Sequence, residues 1–118
     1  MGPEAVYRAH LADGRFMVQR GAMSGKAFFP PRTHEPVTGD EAEWFEPSGR
    51  GTVYALTVAR KRDPEPDYTI VLIDLDEGPR LMSRIDGILP DDVRIGMPVQ
   101  AKIIVENDAA VLVFEVAE

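Results

Sequence analysis

From Ser48 onward the chain is a succession of five strand-like segments, and this pattern restricts the fold more than any other feature of the sequence. Residues 50–60 (RGTVYALTVAR) are rich in β-branched side chains. Residues 68–75 (YTIVLIDL) are apolar on both faces, which calls for cover on both sides. Residues 79–86 (PRLMSRID) alternate Leu81, Ser83 and Ile85 with Arg80, Met82 and Arg84. Residues 97–105 (MPVQAKIIV) set Met97, Val99, Ala101, Ile103 and Val105 on one side, with Pro98 near the strand start, where its missing N–H costs least. Residues 110–117 (AVLVFEVA) set Leu112, Phe114 and Val116 on one face. The joints agree: a two-proline loop at 61–67, a tight turn at Asp76-Glu77-Gly78, a longer connection at 87–96 and a turn at Asn107-Asp108. Five strands with one long connection between the third and fourth predict a small Greek-key barrel, and closure hides the edges of these sticky strands. An immunoglobulin-like sandwich wants about seven strands and fits less well.

The first 47 residues read differently. Pro3 suits a first helical turn, Val6, Ala9 and His10 recur at helical spacing, and Gly14 supplies a stop, so residues 3–13 form a short helix. A strand at 15–20, a Gly21–Gly25 turn and Ala27-Phe28-Phe29 make a small hairpin that leaves through Pro30-Pro31, and residues 33–43 are polar loop. An isolated helix of this length is marginal in water and has to pack on its own barrel or on a partner.

Charge and composition exclude several classes. The net charge of −7 is unevenly spread, being +3 over residues 1–34, −5 over 35–47, +4 over 48–62 and −9 over 63–118. An acidic chain repels a polyphosphate backbone, which disfavours general nucleic-acid binding, although a small phosphorylated ligand can still meet the basic minority. No apolar run approaches the roughly 20 residues of a membrane span, the start lacks a signal-peptide pattern, and there is no cysteine, which together point to a cytoplasmic protein.

The order of motifs resembles a known family, the acyl-CoA-associated proteins in which a rubredoxin-like zinc ribbon is joined to an OB-fold (domain-of-unknown-function family thirty-five, found beside thiolases). Residues 15–20 (RFMVQR) resemble the strand that enters the ribbon, and Phe29-Pro30-Pro31-Arg32 its FPPR signature. Trp44-Phe45-Glu46 with Ser48-Gly49-Arg50-Gly51-Thr52-Val53-Tyr54 resembles its strand-entry motif. Leu75-Asp76-Glu77-Gly78 with Arg80-Leu81 resembles its mid-barrel hairpin, and Ile95-Gly96-Met97-Pro98-Val99 the start of its fourth strand. The resemblance implies a mainly β chain divided into an N-terminal helix (1–14), a ribbon-like hairpin and loop (15–47) and a five-stranded OB-fold barrel (48–118). It also implies a non-catalytic partner of a thiolase-like enzyme, of hydroxymethylglutaryl-CoA synthase or of a steroid-chain aldolase. Such a partner walls part of a shared acyl-CoA channel and binds no cofactor tightly of its own, while homo-oligomers stay open.

One departure is large. The family's two C-x-x-C knuckles would fall near Gly21, Ser24, Glu35 and Thr38, and none of these is cysteine. Glu35 with nearby His34 offers too few donors for a tetrahedral zinc. Losing such a site forfeits roughly 10 kcal/mol or more of metal-linked folding energy. The expectation is a metal-free ribbon held by packing of Met17, Phe28, Phe29, Trp44 and Phe45, each worth about 1.5–3 kcal/mol if buried.

The candidate binding residues each have two readings. Phe29, Pro30, Pro31 and Arg32 form either a stiff linker or a rigid wall beside a pantetheine arm, with Arg32 near a phosphate or paired to a local carboxylate. Ser48-Gly49-Arg50-Gly51-Thr52 either bends a strand or approaches a phosphate closely, without the spacing of a P-loop. Arg60, Lys61 and Arg62 form either a solvated loop tip or, with Arg32 and Arg50, guanidinium and ammonium contacts for the phosphates of coenzyme A. Asp74-x-Asp76-Glu77 lacks the spacing of a calcium loop and reads as a turn, exposed enough for Glu77 to meet a basic partner. His10 and His34 have no nucleophile beside them in sequence, so no catalytic residue is assigned. The competing functions are a single-stranded nucleic-acid-binding OB-fold, against which stand an acidic region and Tyr68 as the sole aromatic of strands two and three, and a free-standing enzyme reduced to an acid pair such as Asp74 and Asp76.

Overall fold

The computed structural model describes residues 2–62 and 66–117; of the two-proline loop, residues 63–65 lie outside the described part. A helix α1 (Pro3–Ala12) leads into strands β1 (Val18–Gly21), β2 (Ala27–Phe28) and β3 (Ala42–Phe45), then β4 (Arg50–Ala59), β5 (Tyr68–Leu75), β6 (Arg80–Ser83), a 3-10 turn (Pro90–Asp92), β7 (Pro98–Glu106) and β8 (Ala109–Val116). Two sheets result, one ordered β2-β1-β3 and one ordered β6-β5-β4-β7-β8.

The larger sheet is the expected five-strand barrel fold. β4 pairs with β5 along its length but with β7 only at Arg50, Gly51 and Thr52, and its register with β5 shifts between Val53 and Ala55. Such a bulge adds twist and lets one strand leave its neighbour, so the sheet curls. The two edge strands then meet end on. Ile85 bridges Phe114 in parallel, with the Phe114 N–H donating to Arg84 O at 3.0 Å and the Asp86 N–H to Phe114 O at 2.8 Å. Ile73, Val71, Val99 and Phe114 lie at the centre of the core with no exposed surface.

Three details correct the sequence reading. β6 stops at Ser83, because Arg84 and Asp86 turn the chain toward β8. Val105 is 76% exposed and does not continue the buried face of β7, since the end of the β7–β8 hairpin extends past the core. The supposed loop at 33–43 ends in strand, with Ala42–Phe45 pairing β1 from Val18↔Phe45 to Gly21↔Ala42, so the hairpin is a three-stranded ribbon.

The helix packs on its own chain. Leu11 is buried, α1 contacts β8, and Tyr7 meets Phe29. One apolar cluster includes Phe16 and Val18 together with Val53, Ile73 and Phe114, so the core runs without a break from the ribbon side into the barrel.

Candidate functional site

Where β6 and β8 cease to be bridged, α1 lies across the seam. The resulting groove has a volume of about 490 Å³ and is lined by Tyr7, Leu11, Phe29, Leu81, Met82 and Leu112. Through Met82, Val111 and Leu112 it continues into a second hollow of about 390 Å³, bounded by Tyr68, Ile70 and Val113. Sizes of this order, with mostly apolar walls, suit a small organic ligand or an extended apolar arm. Met82 is 69% exposed, an apolar side chain that the fold itself leaves uncovered.

The charged groups of the groove's lining are Arg8 and Asp108. Burial pushes the Tyr7 hydroxyl up to about 12, so it stays a neutral donor at physiological pH. Arg8, at one end, is engaged with Glu4 at 3.0 Å. Arg84, near the second hollow, is held by Asp86 at 2.8 Å and Glu106 at 2.7 Å. The walls therefore fit the uncharged part of a ligand better than its phosphates.

Of the residues singled out in the sequence, Phe29 lines the groove, and its ring stands 5.5 Å from that of Tyr7. Pro30 and Pro31 carry the chain from the groove to the ribbon, the Phe29–Pro30 peptide being cis. The Arg32 backbone is clamped by Gln19, whose side chain accepts from Arg32 N at 2.7 Å and donates to Arg32 O at 2.6 Å. The Arg32 side chain is exposed beside Pro3, Val6 and Trp44, away from Phe29's groove.

The cations do not converge. Arg50 and Arg60 bracket the ten-residue strand β4, which separates them by roughly 30 Å at the usual rise per residue. Arg60 is already shared between Asp67 at 3.0 Å and Asp91 at 2.7 Å. Lys61 lies over the Tyr68 ring at 5.2 Å, and Arg62 is exposed. The glycines around Arg50 are explained by packing. A Cβ on Gly51 would lie 2.7 Å from Ile73 Cγ2 and 2.8 Å from the Asp74 carbonyl, and one on Gly49 2.6 Å from Gln100 Nε2.

Other acidic groups are committed as well. Asp74 is bound by Arg80 at 2.6 Å, which also lies 3.4 Å from the Tyr54 ring, so Asp74 is a sheet-surface ion pair rather than half of an acid couple. Glu77 turns inward and accepts from Ser48 N at 2.9 Å instead of facing outward. His10 packs against Trp44 with ring centroids 5.4 Å apart, and His34 contacts Thr33. Near Tyr68, a hollow is edged by Asp67, Asp86 and Glu106 and by Arg84, whose charge Asp86 and Glu106 already hold, on the face where a nucleic-acid strand would lie.

The ribbon does not suit the zinc its motifs imply. Among the described residues no group of three or more His, Cys, Asp or Glu is placed to share a metal ion. Where the knuckle cysteines would stand there are Gly21 and the oxygen donors Ser24, Glu35 and Thr38, and the space a Cβ on Gly21 would need is taken by the Asp40 carboxylate at 2.5 Å.

Residues 44–103 match the family described as "ChsH2, C-terminal OB-fold domain". The chain belongs to this family. A "Probable enoyl-CoA hydratase alpha subunit" of Thermomonospora curvata is 37% identical over a 90-residue alignment that covers 72% of this chain and 28% of that protein. A "DUF35 domain-containing scaffold protein" of Methanocaldococcus jannaschii is 35% identical over an 83-residue alignment that covers 65% of this chain and 59% of that protein. The chain thus spans under a third of the first of these relatives and under two thirds of the second. Among solved structures, a chain of the "Ltp2-ChsH2(DUF35) aldolase" superposes with a TM-score of 0.86 at 30% identity, covering 98% of this chain and 95% of the other. A DUF35-family protein from Sulfolobus solfataricus, at 18% identity and a TM-score of 0.68, shares the fold. The superposition with the aldolase chain thus takes in the helix and the ribbon as well as the barrel. Among the described residues no helix is long and apolar enough to cross a membrane.

Proposed function

We propose that this chain is a non-catalytic partner subunit of an acyl-CoA-pathway enzyme, of the thiolase-like or a related class, and that its seam groove walls one side of a channel for the acyl or pantetheine arm. The single observation that carries this reading is the near-complete superposition on a chain of the Ltp2-ChsH2(DUF35) aldolase. The relatives named as scaffolds and as a subunit of an enoyl-CoA hydratase agree with it. The groove adds a physical reason. An apolar trough open on one side excludes water only when a second surface covers it, and water exclusion is what a shared channel gives a reactive thioester.

Phe29 supplies a wall of that trough, with Pro30 and Pro31 fixing its approach. Arg32, Arg50 and the consecutive Arg60, Lys61 and Arg62 occupy separate places, so a coenzyme A phosphate meets at most one of these three positions on this chain and finds its remaining contacts on the partner. The test is purification of the tagged chain from its native cells, with acyl-CoA turnover assayed in the captured complex and in the isolated chain. The expected result is a complexed acyl-CoA enzyme, an inert isolated chain, and loss of the complex or its turnover on Met82→Glu. Turnover by the isolated chain, or salt-resistant oligonucleotide binding in place of such a complex, would overturn the proposal.

A further inference from the structure

Two tight turns of the same design face each other in the ribbon. In residues 21–25 the Gly25 N–H donates to Gly21 O at 2.8 Å, and in residues 35–39 the Gly39 N–H donates to Glu35 O at 2.9 Å. A backbone bond brings the turns together, Ala22 N donating to Glu41 O at 2.7 Å, while Glu35 N donates to Asp40 O at 2.9 Å and closes the second turn on itself. In a chain with cysteines at these places a metal would join them. Here a side chain crosses between them. Asp40 Oδ2 accepts from the Met23 and Ser24 amides, both at 2.9 Å, while Asp40 Oδ1 contacts the Thr38 hydroxyl of the other turn. That hydroxyl also lies 2.6 Å from Glu35 Oε2, which accepts the Val37 amide at 3.0 Å and the Thr38 amide as well. Glu35 is 1% exposed, so its ordering belongs to the interior of the ribbon.

The sequence makes room for this arrangement at one position. Any side chain at residue 21 would place its Cβ 2.5 and 2.8 Å from the two Asp40 oxygens, so glycine is what admits the carboxylate. A carboxylate accepting several N–H groups is among the stronger polar links available, and it joins elements sixteen and seventeen residues apart in sequence.

We infer that Asp40 performs in this chain the cross-linking that a metal ion performs in a cysteine-bearing ribbon, with Gly21 as the residue that lets it in, so that the ribbon closes without metal. The inference concerns the ribbon alone and stands whether or not the proposed enzyme partnership holds.

Hydrogen exchange of the full chain tests it, comparing wild type, Asp40→Ala and the milder Asp40→Asn, with and without a strong chelator. The Met23 and Ser24 amides are expected to lose about tenfold or more of their protection in Asp40→Ala, the cost of a charge-assisted acceptor, and less in Asp40→Asn. Barrel amides such as Val71 and Ile73 should keep theirs and so show that the variants remain folded. The chelator should change nothing in the wild type. Unchanged protection at Met23 and Ser24 in both variants overturns the inference, as does a wild-type ribbon that loses protection in chelator or carries stoichiometric metal by elemental analysis.

Discussion

Tyr7 of α1 stands edge-on to Phe29, with ring centroids 5.5 Å apart and planes inclined by 71°, and this contact ties the helix to the bend that follows β2. Both rings line the seam groove, so one pair fixes the helix and shapes the candidate site. Edge-to-face pairs add about 0.5–1.5 kcal/mol beyond the area they bury. Tyr7→Ala is therefore expected to destabilise the chain by about 1–2 kcal/mol, with a coupling to Phe29→Ala of about 1 kcal/mol in a double-mutant cycle. Tyr7→Phe should cost little. Denaturant unfolding of the four variants measures all three quantities.

Phe114 is fully buried and also forms the bridge at which the barrel closes. Its truncation removes core volume and loosens the contact between β6 and β8 at once. Phe114→Ala should cost about 3–5 kcal/mol, a large share of the stability of a domain of this size. Loss of cooperative thermal unfolding would be the visible sign. A shift below about 1 kcal/mol would mean that the seam does not depend on this ring.

How much of this was readable beforehand depended on the range of the interaction. The barrel strands were legible because period-2 alternation and turn residues are local signals, as in Leu81, Ser83 and Ile85 against Arg80 and Met82. β3 was not, since four residues beginning Ala-Glu among acids carry no alternation long enough to recognise, and its pairing with β1 lies more than twenty residues back. Phe29 was found at the site, but Tyr7, Leu11 and Leu112 were not, because a groove made by a helix laid over two strand edges has no signature in any one segment. The ribbon was expected to rest on packing alone. Met17 and Phe28 are indeed buried, yet Asp40 adds a cross-link whose partners are backbone amides, and backbone amides leave no mark in a sequence.

Gly51 separates a packing role from a ligand role at the start of β4. It is buried, and a methyl group there would press on the Asp74 carbonyl, part of a paired strand that cannot swing aside. Gly51→Ala should destabilise by about 1–3 kcal/mol, as overpacking does, with no change in ligand binding per folded molecule. Gly87→Ala provides the contrast: its φ is +81° but its Cβ would meet open space, so only a backbone cost of about 1 kcal/mol is expected. Thermal melts of the two variants should rank them in that order.

Acid should loosen the ribbon, and neutral pH should leave it closed. The Thr38 hydroxyl first, then the Ser24 and Met23 amides, hold Asp40 well below the usual carboxylate range, and Thr38 likewise lowers Glu35. A carboxylate depressed in the folded state binds protons more weakly there than in the unfolded chain. Its stabilisation is therefore complete above the unfolded value near 4 and is lost as pH falls through the folded value. The charge of Lys26 also favours ionised Glu35. Trp44, the single tryptophan, sits on β3 beside β1 and reports on the ribbon directly. Its fluorescence should hold steady from about pH 8 to about pH 5 and change below about pH 4, and Asp40→Asn should flatten that acid limb. A ribbon that loosens on raising the pH instead, or an acid limb of equal size in Asp40→Asn, would show that these carboxylates do not hold the two turns together.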